Sequence, residues 1–254
     1  MLEGYADDQP PGIGPVANPL KPGALDLQAL SWALYGPKVG AWRLLDILER
    51  TETRALFYTS GILAERFPDL VAAIADQGHA IGAHGYLQST IPTYQTREEE
   101  ASDLTRCINA ISAAAGRGPC GWLSPRCTPS INTSSLTAAA GLSFHADMFD
   151  SDLPYLLHTD QGDIVGMPFT TEVNDLPITI RHGNELQAFS RIIARLLDNW
   201  ERIGSPAMCL DITVHAHVFG RPAGAVEFLE AIEVVRRHEF CWLTTHEDVA
   251  RLYV

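Results

Sequence analysis

Several things are scarce in this chain of 254 residues, and each scarcity excludes a class of protein. Charged residues make up only 19%, below the usual share of about 25%, which points to deep burial or a large subunit interface. Basic residues are few: 18 Lys and Arg stand against 31 Asp and Glu, a formal charge of −13. An acidic chain without a basic run repels phosphate backbones, so nucleic acid is excluded as a partner. No apolar run approaches the 18 or so residues of a membrane span. The first residues have neither the basic start nor the apolar stretch of a secretory signal, so a cytoplasmic location is expected. Cysteine is limited to Cys107, Cys120, Cys127, Cys209 and Cys241, an odd count without a Cys-x-x-Cys pair. That pattern suits free thiols in a reducing compartment and argues against a cysteine-rich zinc site. A Gly-x-Ser-x-Gly elbow and a phosphate loop are both missing, so seryl hydrolase and nucleotide triphosphatase chemistry have no support. The stretch from Gly12 to Ala17 fits a dinucleotide fingerprint only formally, because it follows no strand and places Pro15 where a helix should begin.

What is present is an alternation of short strands and helices. Residues 9–23 are dense in proline and glycine and read as an irregular arm. Val39, Trp42, Leu45 and Leu48 recur at helical steps, and Phe67-Pro68 opens a helix that stops at Gly78. Thr96 with Glu99 forms a capping box for a helix ending near Gly116. Asn132 caps a helix that stops at Gly141, and Asn184 with Gln187 caps one running through Trp200. Residues 223–238 form another, and Thr245 with Asp248 frames a last one. Strands are expected at 55–59, 79–84, 121–124, 143–147, 163–169, 208–215 and 240–244. This alternation implies a parallel sheet in one α/β domain spanning residues 1–254, closed as a barrel or doubly wound.

In such folds function gathers at the C-terminal ends of the strands. Those ends carry His84, the stretch Trp122 to Arg126, Asp147 to Asp152, Glu172 to Asp175, and His215 with His217. Asp150, Asp152 and the Asn174-Asp175 pair also suit plain turn chemistry beside proline. His215 and His217 lie two apart, so in a strand both imidazoles face one way and could share a metal. The competing reading is one catalytic histidine followed by a loop histidine.

Taken together and in order, these segments resemble the polysaccharide deacetylase superfamily. More narrowly they are similar to its branch of metal-independent allantoinases and cyclic imide hydrolases. The resemblance runs through Tyr35-Gly36-Pro37-Lys38-Val39-Gly40, Gly78 to Tyr86 with His84, and Asp150-Ser151-Asp152-Leu153-Pro154-Tyr155. It continues through Pro168-Phe169-Thr170 with Glu172, Asn174 and Asp175, and through His215 followed by Gly220-Arg221-Pro222. It implies an irregular (β/α) barrel and hydrolysis of a C–N bond other than a peptide bond. Departures from the pattern are informative. Metal-dependent members carry a histidine pair spaced by four, but here Gln88 stands four after His84, and glutamine is a poor zinc ligand. Aligned with the family's first motif, Glu3 takes the place of the first aspartate and Tyr5 that of the metal-binding one. Leu123 replaces the usual arginine of the third motif, and Arg126 follows three residues later.

The resemblance therefore implies a catalytic set of Glu3, His84, Arg126 and His215. Substrate would be bound by Tyr35, Gln88, Trp122, Asp152, Glu172, Asn174 and His217. Arg126 would hold a carbonyl oxygen, His215 would act as general acid or base, His84 would be a second proton carrier, and Glu3 or Glu172 would activate water. The expected substrate is a small cyclic amide, imide or ureide, opened with no metal or other cofactor, in a homo-oligomer (dimer or tetramer) without membrane partners. Two alternatives remain: a deacetylase of an N-acetylated sugar using one zinc-like divalent metal, and an inactive relative that binds a small ligand or a protein.

Overall fold

The computed structural model describes residues 1–7, 20–21, 23–204 and 207–253; most of the proline-rich arm expected at 9–23, and the Gly12 to Ala17 stretch, lie outside them. Six strands form one sheet: β1 (Leu56–Thr59), β2 (Ala80–Ala83), β3 (Gly121–Trp122), β4 (Phe144–Met148), β5 (Tyr155–Thr159) and β6 (Gly162–Pro168). Their order is β1-β2-β3-β4-β6-β5, parallel except for the antiparallel β5–β6 hairpin at the edge. Helices connect the parallel strands, and the chain takes the α/β fold expected of an irregular barrel.

The sheet's ladders leave a gap beyond β1, and extended chain fills it. The amide of Leu2 donates to the carbonyl of Tyr58 at 2.8 Å, and Ser60 donates to Leu2 at 3.0 Å. On its other side Met1 donates to Val214 at 2.7 Å and accepts from Ala216 at 3.1 Å. A single bridge then links Thr213 to Asn174, just after β6. The expected strand at 208–215 is therefore not a strand. Its backbone groups meet Val173, Asp175 and Met1 one at a time, so no continuous ladder forms. The expected strand at 240–244 is also absent. Phe240 and Trp242 are 61% exposed, and the one backbone bond there is a turn from Cys241 to His238. Aromatic residues suggested a strand, but strand preference is realised only beside a neighbour.

Nine helices are described: α1 (Leu27–Tyr35), α2 (Ala41–Arg50), α3 (Gly61–Arg66), α4 (Pro68–Asp76), α5 (Arg97–Ala115), α6 (Thr133–Ala139), α7 (Ala188–Asp198), α8 (Pro222–Arg236) and α9 (His246–Ala250). The Thr96–Glu99 capping box forms as expected, with both reciprocal bonds in place at the start of α5. Helix α7 starts three residues later than expected, because the Asn184 amide donates to the carbonyl of Ile178 instead of capping a helix. On α2 the buried stripe is Ala41, Leu44, Leu45, Ile47 and Leu48, while Trp42 turns outward. Among the described residues no helix is long and apolar enough to cross a membrane.

Two apolar clusters hold these layers together. The larger packs α2, α3, α4, α5, α7 and α8 around the sheet. The smaller collects Tyr58, Phe144, Ala146, Val165 and Met167 from the strands and Leu123 from just past β3, with Ala250 of α9 against them. Gly121 makes room for it, since a Cβ there would meet the Phe144 ring at 2.3 Å. Gly40, between α1 and α2, is the second obligatory glycine: its Cβ would lie 1.9 Å from the carbonyl of Ala216. That close approach of backbones seats the α1–α2 corner directly on the segment bearing His215 and His217.

Candidate functional site

Glu3 lies at the centre of the site, and the local backbone explains why. The Leu2 segment runs alongside β1, so successive side chains alternate. Leu2 enters the core, Glu3 points the other way, and Gly4 is held by Ser60, whose hydroxyl accepts its amide at 3.1 Å. Three imidazoles converge on the Glu3 carboxylate. Nε2 of His84 lies 3.9 Å away, Nε2 of His215 3.8 Å, and Nε2 of His217 3.7 Å. His84 comes from just after β2, and His215 and His217 from alternate positions on the seam, the stretch from Thr213 to His217 that runs beside Met1. The Tyr5 hydroxyl donates to Glu3 at 3.0 Å. All four charged or ionisable side chains are nearly removed from water, Glu3 being 10% exposed.

Second contacts fix the proton positions. Nδ1 of His84 is 2.8 Å from the carbonyl of Leu123. A carbonyl only accepts, so Nδ1 carries the hydrogen and neutral His84 turns a lone pair towards Glu3. His215 is clamped by Asp175: Nδ1 lies 2.6 Å from one carboxylate oxygen, and the backbone amide donates to the other at 2.8 Å. His215 is thus flanked by two carboxylates. His217 packs against the edge of Trp32 with ring centroids 4.4 Å apart, and its Nε2 is buried with no hydrogen-bond partner.

Burial and charge set the protonation. Burial raises the Glu3 pKa, but the neighbouring His215, His217 and His84 outweigh it and bring the group down to about 2, a carboxylate at neutral pH. Burial lowers His217 to about 4 against the pull of Glu3, and lowers His84 in the same direction. Burial, helped by Glu3, holds the Tyr5 hydroxyl well above its ordinary value, so it remains a donor. A consequence for stability follows. Unfolded His217 takes a proton near pH 6.5, whereas the folded residue resists until about 4. Stability present above pH 6.5 is therefore lost on acidification to pH 4, by about 3 kcal/mol at 1.36 kcal/mol per unit. Glu3 adds a further loss between about 4.5 and 2, where the unfolded carboxyl protonates first. Urea unfolding at pH 7, 5.5 and 4.5 is expected to show this decline; a flat profile would contradict the buried neutral His217.

Arg126 sits on a tight turn after β3, and both it and Cys127 have positive φ, 55° and 52°. Such strain, costing on the order of 1–3 kcal/mol per residue, concentrates where a side chain must be aimed. Its charge reaches Tyr5 and lowers that hydroxyl's pKa against the dominant effects of burial and Glu3. The structure therefore brings together Glu3, His84, His215 and His217, with Arg126 at the edge.

Of the remaining residues singled out in the sequence, Gln88 backs this cluster, and the others make no hydrogen bond or ion pair with the Glu3 carboxylate among the described residues. Gln88 is fully buried, with its amide bonded to Ser60, His84 and Arg126. Trp122 is 1% exposed and donates to the Ser124 hydroxyl. Tyr35 ends α1, accepts from Arg43 at 2.8 Å and lies under the Arg221 guanidinium. Asn174 uses its side chain to cap the amide of Leu176. Asp152 and Glu172 are exposed, and neither has a hydrogen bond or ion pair to the Glu3 cluster among the described residues. In the sequence Asp175 belongs to the strand-end stretch Glu172 to Asp175, where turn chemistry competes and no role is assigned to it, and Tyr5 reads only as a replaced ligand. The two-residue step from Glu3 to Tyr5 was an available signal; the Asp175–His215 pairing across 40 residues had none.

The donor set does not match a resident metal of the kind the deacetylase pattern uses. The position four after His84 holds an amide already engaged within the protein. Among the described residues no group of three His, Cys, Asp or Glu side chains is disposed to hold a metal ion.

Comparisons with known proteins find relatives in sequence and in fold. A family model described as polysaccharide deacetylase matches residues 35–145. A peptidoglycan deacetylase of Helicobacter pylori is 23% identical over 250 residues, covering 86% of this chain and 85% of its own. A solved structure described as a probable polysaccharide deacetylase from Pseudomonas aeruginosa superposes with a TM-score of 0.85 at 27% identity, over 95% of this chain and 81% of that one. The structure of a PuuE allantoinase superposes with a TM-score of 0.84 at 27% identity, over 93% of this chain and 79% of its own.

Proposed function

We propose, from the premise that this chain belongs to the polysaccharide deacetylase superfamily and is a C–N hydrolase, that it opens a small cyclic amide, imide or ureide without a resident metal. The observation that carries this reading is the Glu3 carboxylate ringed by three Nε2 atoms, one of them backed by Asp175.

Separations of 3.7–3.9 Å are too long for direct hydrogen bonds. An oxygen atom about 2.8 Å from both ends completes a triangle on such a base. That is room for a hydrolytic water, or for the oxygen it becomes after attack. At neutral pH, Glu3 with a pKa of about 2 is a weak base. His84, neutral and turned lone pair inward, is the better acceptor of the water proton, and Glu3 stabilises the imidazolium that results. The water oxygen then bonds to the substrate carbonyl carbon. Arg126 meets the developing oxyanion with its fork of donors. His215, entering the step with a proton on both ring nitrogens between Asp175 and Glu3, gives its Nε2 proton to the departing nitrogen as the C–N bond breaks and is left a neutral imidazole. The carboxylic acid product ionises, and solvent restores the two imidazoles.

A cyclic imide or ureide suits this machinery because its leaving nitrogen is itself acylated and departs more readily than a plain amine. The test is a hydrolysis panel of allantoin, hydantoin, dihydrouracil, succinimide and an N-acetylglucosamine oligomer, each with and without chelator. Ring opening that persists in chelator is expected, together with a loss of about 10²-fold in turnover for Arg126→Lys at unchanged melting temperature. Deacetylation of the oligomer that stops in chelator, with one zinc per chain by elemental analysis, would replace this reading by the metal-dependent one. Unchanged turnover in Arg126→Lys would remove that residue from the site.

A further inference from the structure

Gln88 is a buried polar group beside the site that the mechanism above leaves without a task. Its side chain has no exposure, and every polar atom on it meets another part of the site. The amide nitrogen donates to the hydroxyl of Ser60 at 3.1 Å and to the carbonyl of His84 at 2.8 Å. The amide oxygen accepts the backbone N–H of Arg126 at 3.4 Å. The backbone N–H of Gln88 donates to the carbonyl of Gly4 at 2.9 Å, and the same Ser60 hydroxyl accepts the amide of Gly4 at 3.1 Å. One side chain therefore touches the segment after Glu3 through Ser60, the backbone of His84, and the strained turn of Arg126.

We propose that Gln88 is a positioning residue, a strut that sets Glu3, His84 and Arg126 at their mutual distances, and that it touches neither substrate nor metal. The chemistry of the amide fits this task. It offers donors and an acceptor from a single planar group, and here the donors meet two oxygens while the acceptor meets an N–H. A histidine or carboxylate at this position lacks that division. The turn does not depend on Gln88 alone, because both carboxylate oxygens of Asp147 accept the amide of Ser124 from the other side, at 3.0 and 3.2 Å. Removing the Gln88 amide should therefore loosen the aim of Arg126 and the spacing of His84 to Glu3 without unravelling β3.

Two near-isosteric variants separate the roles. Gln88→Met removes all three side-chain bonds; Gln88→Glu keeps an acceptor for Arg126 but turns an acceptor towards the Ser60 hydroxyl and the His84 carbonyl. With the ring-opening substrate found in the panel above, both are expected to lower kcat at least tenfold while KM changes less than threefold. A rise in KM with kcat unchanged would make Gln88 a substrate contact and overturn the proposal. The kinetic arm rests on the proposed reaction; a second arm does not. Amide hydrogen exchange at Arg126, followed by NMR on the substrate-free protein, should speed up at least tenfold in Gln88→Met and stay near wild type in Gln88→Glu, with the amides of α5 unchanged in both. Unaltered exchange at Arg126 in Gln88→Met would refute the strut even if no substrate were found. Elemental analysis of Gln88→His completes the test: a full equivalent of zinc bound there, with activity gained, would show the position to be a ligand site and the strut reading to be wrong.

Discussion

Replacing Glu3 by glutamine is expected to lower turnover by about 10³-fold, within the range for loss of a group acting on proton transfer. The amide keeps the shape but removes the charge that steadies three imidazoles at 3.7–3.9 Å. Glu3 raises the pKa of His84 and His217 against the larger lowering by burial, so without it both fall further. The acid limb of kcat/KM should therefore move to lower pH in Glu3→Gln while its height collapses. That shift distinguishes a charge that supports His84 from a carboxylate that is itself the base. Were Glu3 the base, the wild-type acid limb would lie near its own value of about 2. The same depressed pKa means the carboxylate contributes up to about 3 kcal/mol at neutral pH. Part of that is lost in the variant, so turnover must be referred to the folded fraction measured by circular dichroism. A folded Glu3→Gln protein within threefold of wild type would exclude the carboxylate from the reaction.

The second large effect belongs to Asp175→Asn. Asp175 is completely buried and makes two bonds to one residue, holding both the ring and the backbone of His215. Asparagine fills the same volume, but its NH2 turned towards the ring would force the His215 proton onto Nε2. The corresponding change in a serine-protease triad costs about 10⁴ in turnover; here the lost carboxylate also no longer balances a doubly protonated ring, the form that can give up a proton and leave a neutral imidazole, and a loss of about 10³-fold or more is expected. The backbone amide of Asp175 still bonds to Thr213, so the seam should remain in place. The informative readouts are turnover and the ¹⁵N shifts of the His215 ring, which report its tautomer. A changed tautomer with full activity would free His215 from the role of acid.

The contrast between His84 and Asp175 shows which features are local in the chain and which are not. His84 and His215 are legible because each closes a short apolar run, and such ends collect function in α/β folds; Glu3 is reached only through the resemblance of the first residues to the family's first motif. The capping box at Thr96 and Glu99 was legible because both of its bonds lie within four residues. The pairing of Asp175 with His215 spans 40 residues and has no local trace. Gln88 reads in the chain as a ligand replaced by a weaker one. Only the folded protein shows its amide between Ser60, His84 and Arg126.

The sequence by itself determined the alternation of strand and helix, the caps, the acidic balance and the residues available for catalysis, because hydrophobic period, turn chemistry and charge act over a few neighbours. Tertiary structure decided the rest. Residues 208–215 and 240–244 have strand-like composition, yet the first pairs one residue at a time across the seam and the second has no partner strand. Hydrogen-bond partners far apart in the chain decide whether an extended segment becomes a strand and whether a buried amide becomes a strut. Those partners meet only once the chain has folded around Glu3.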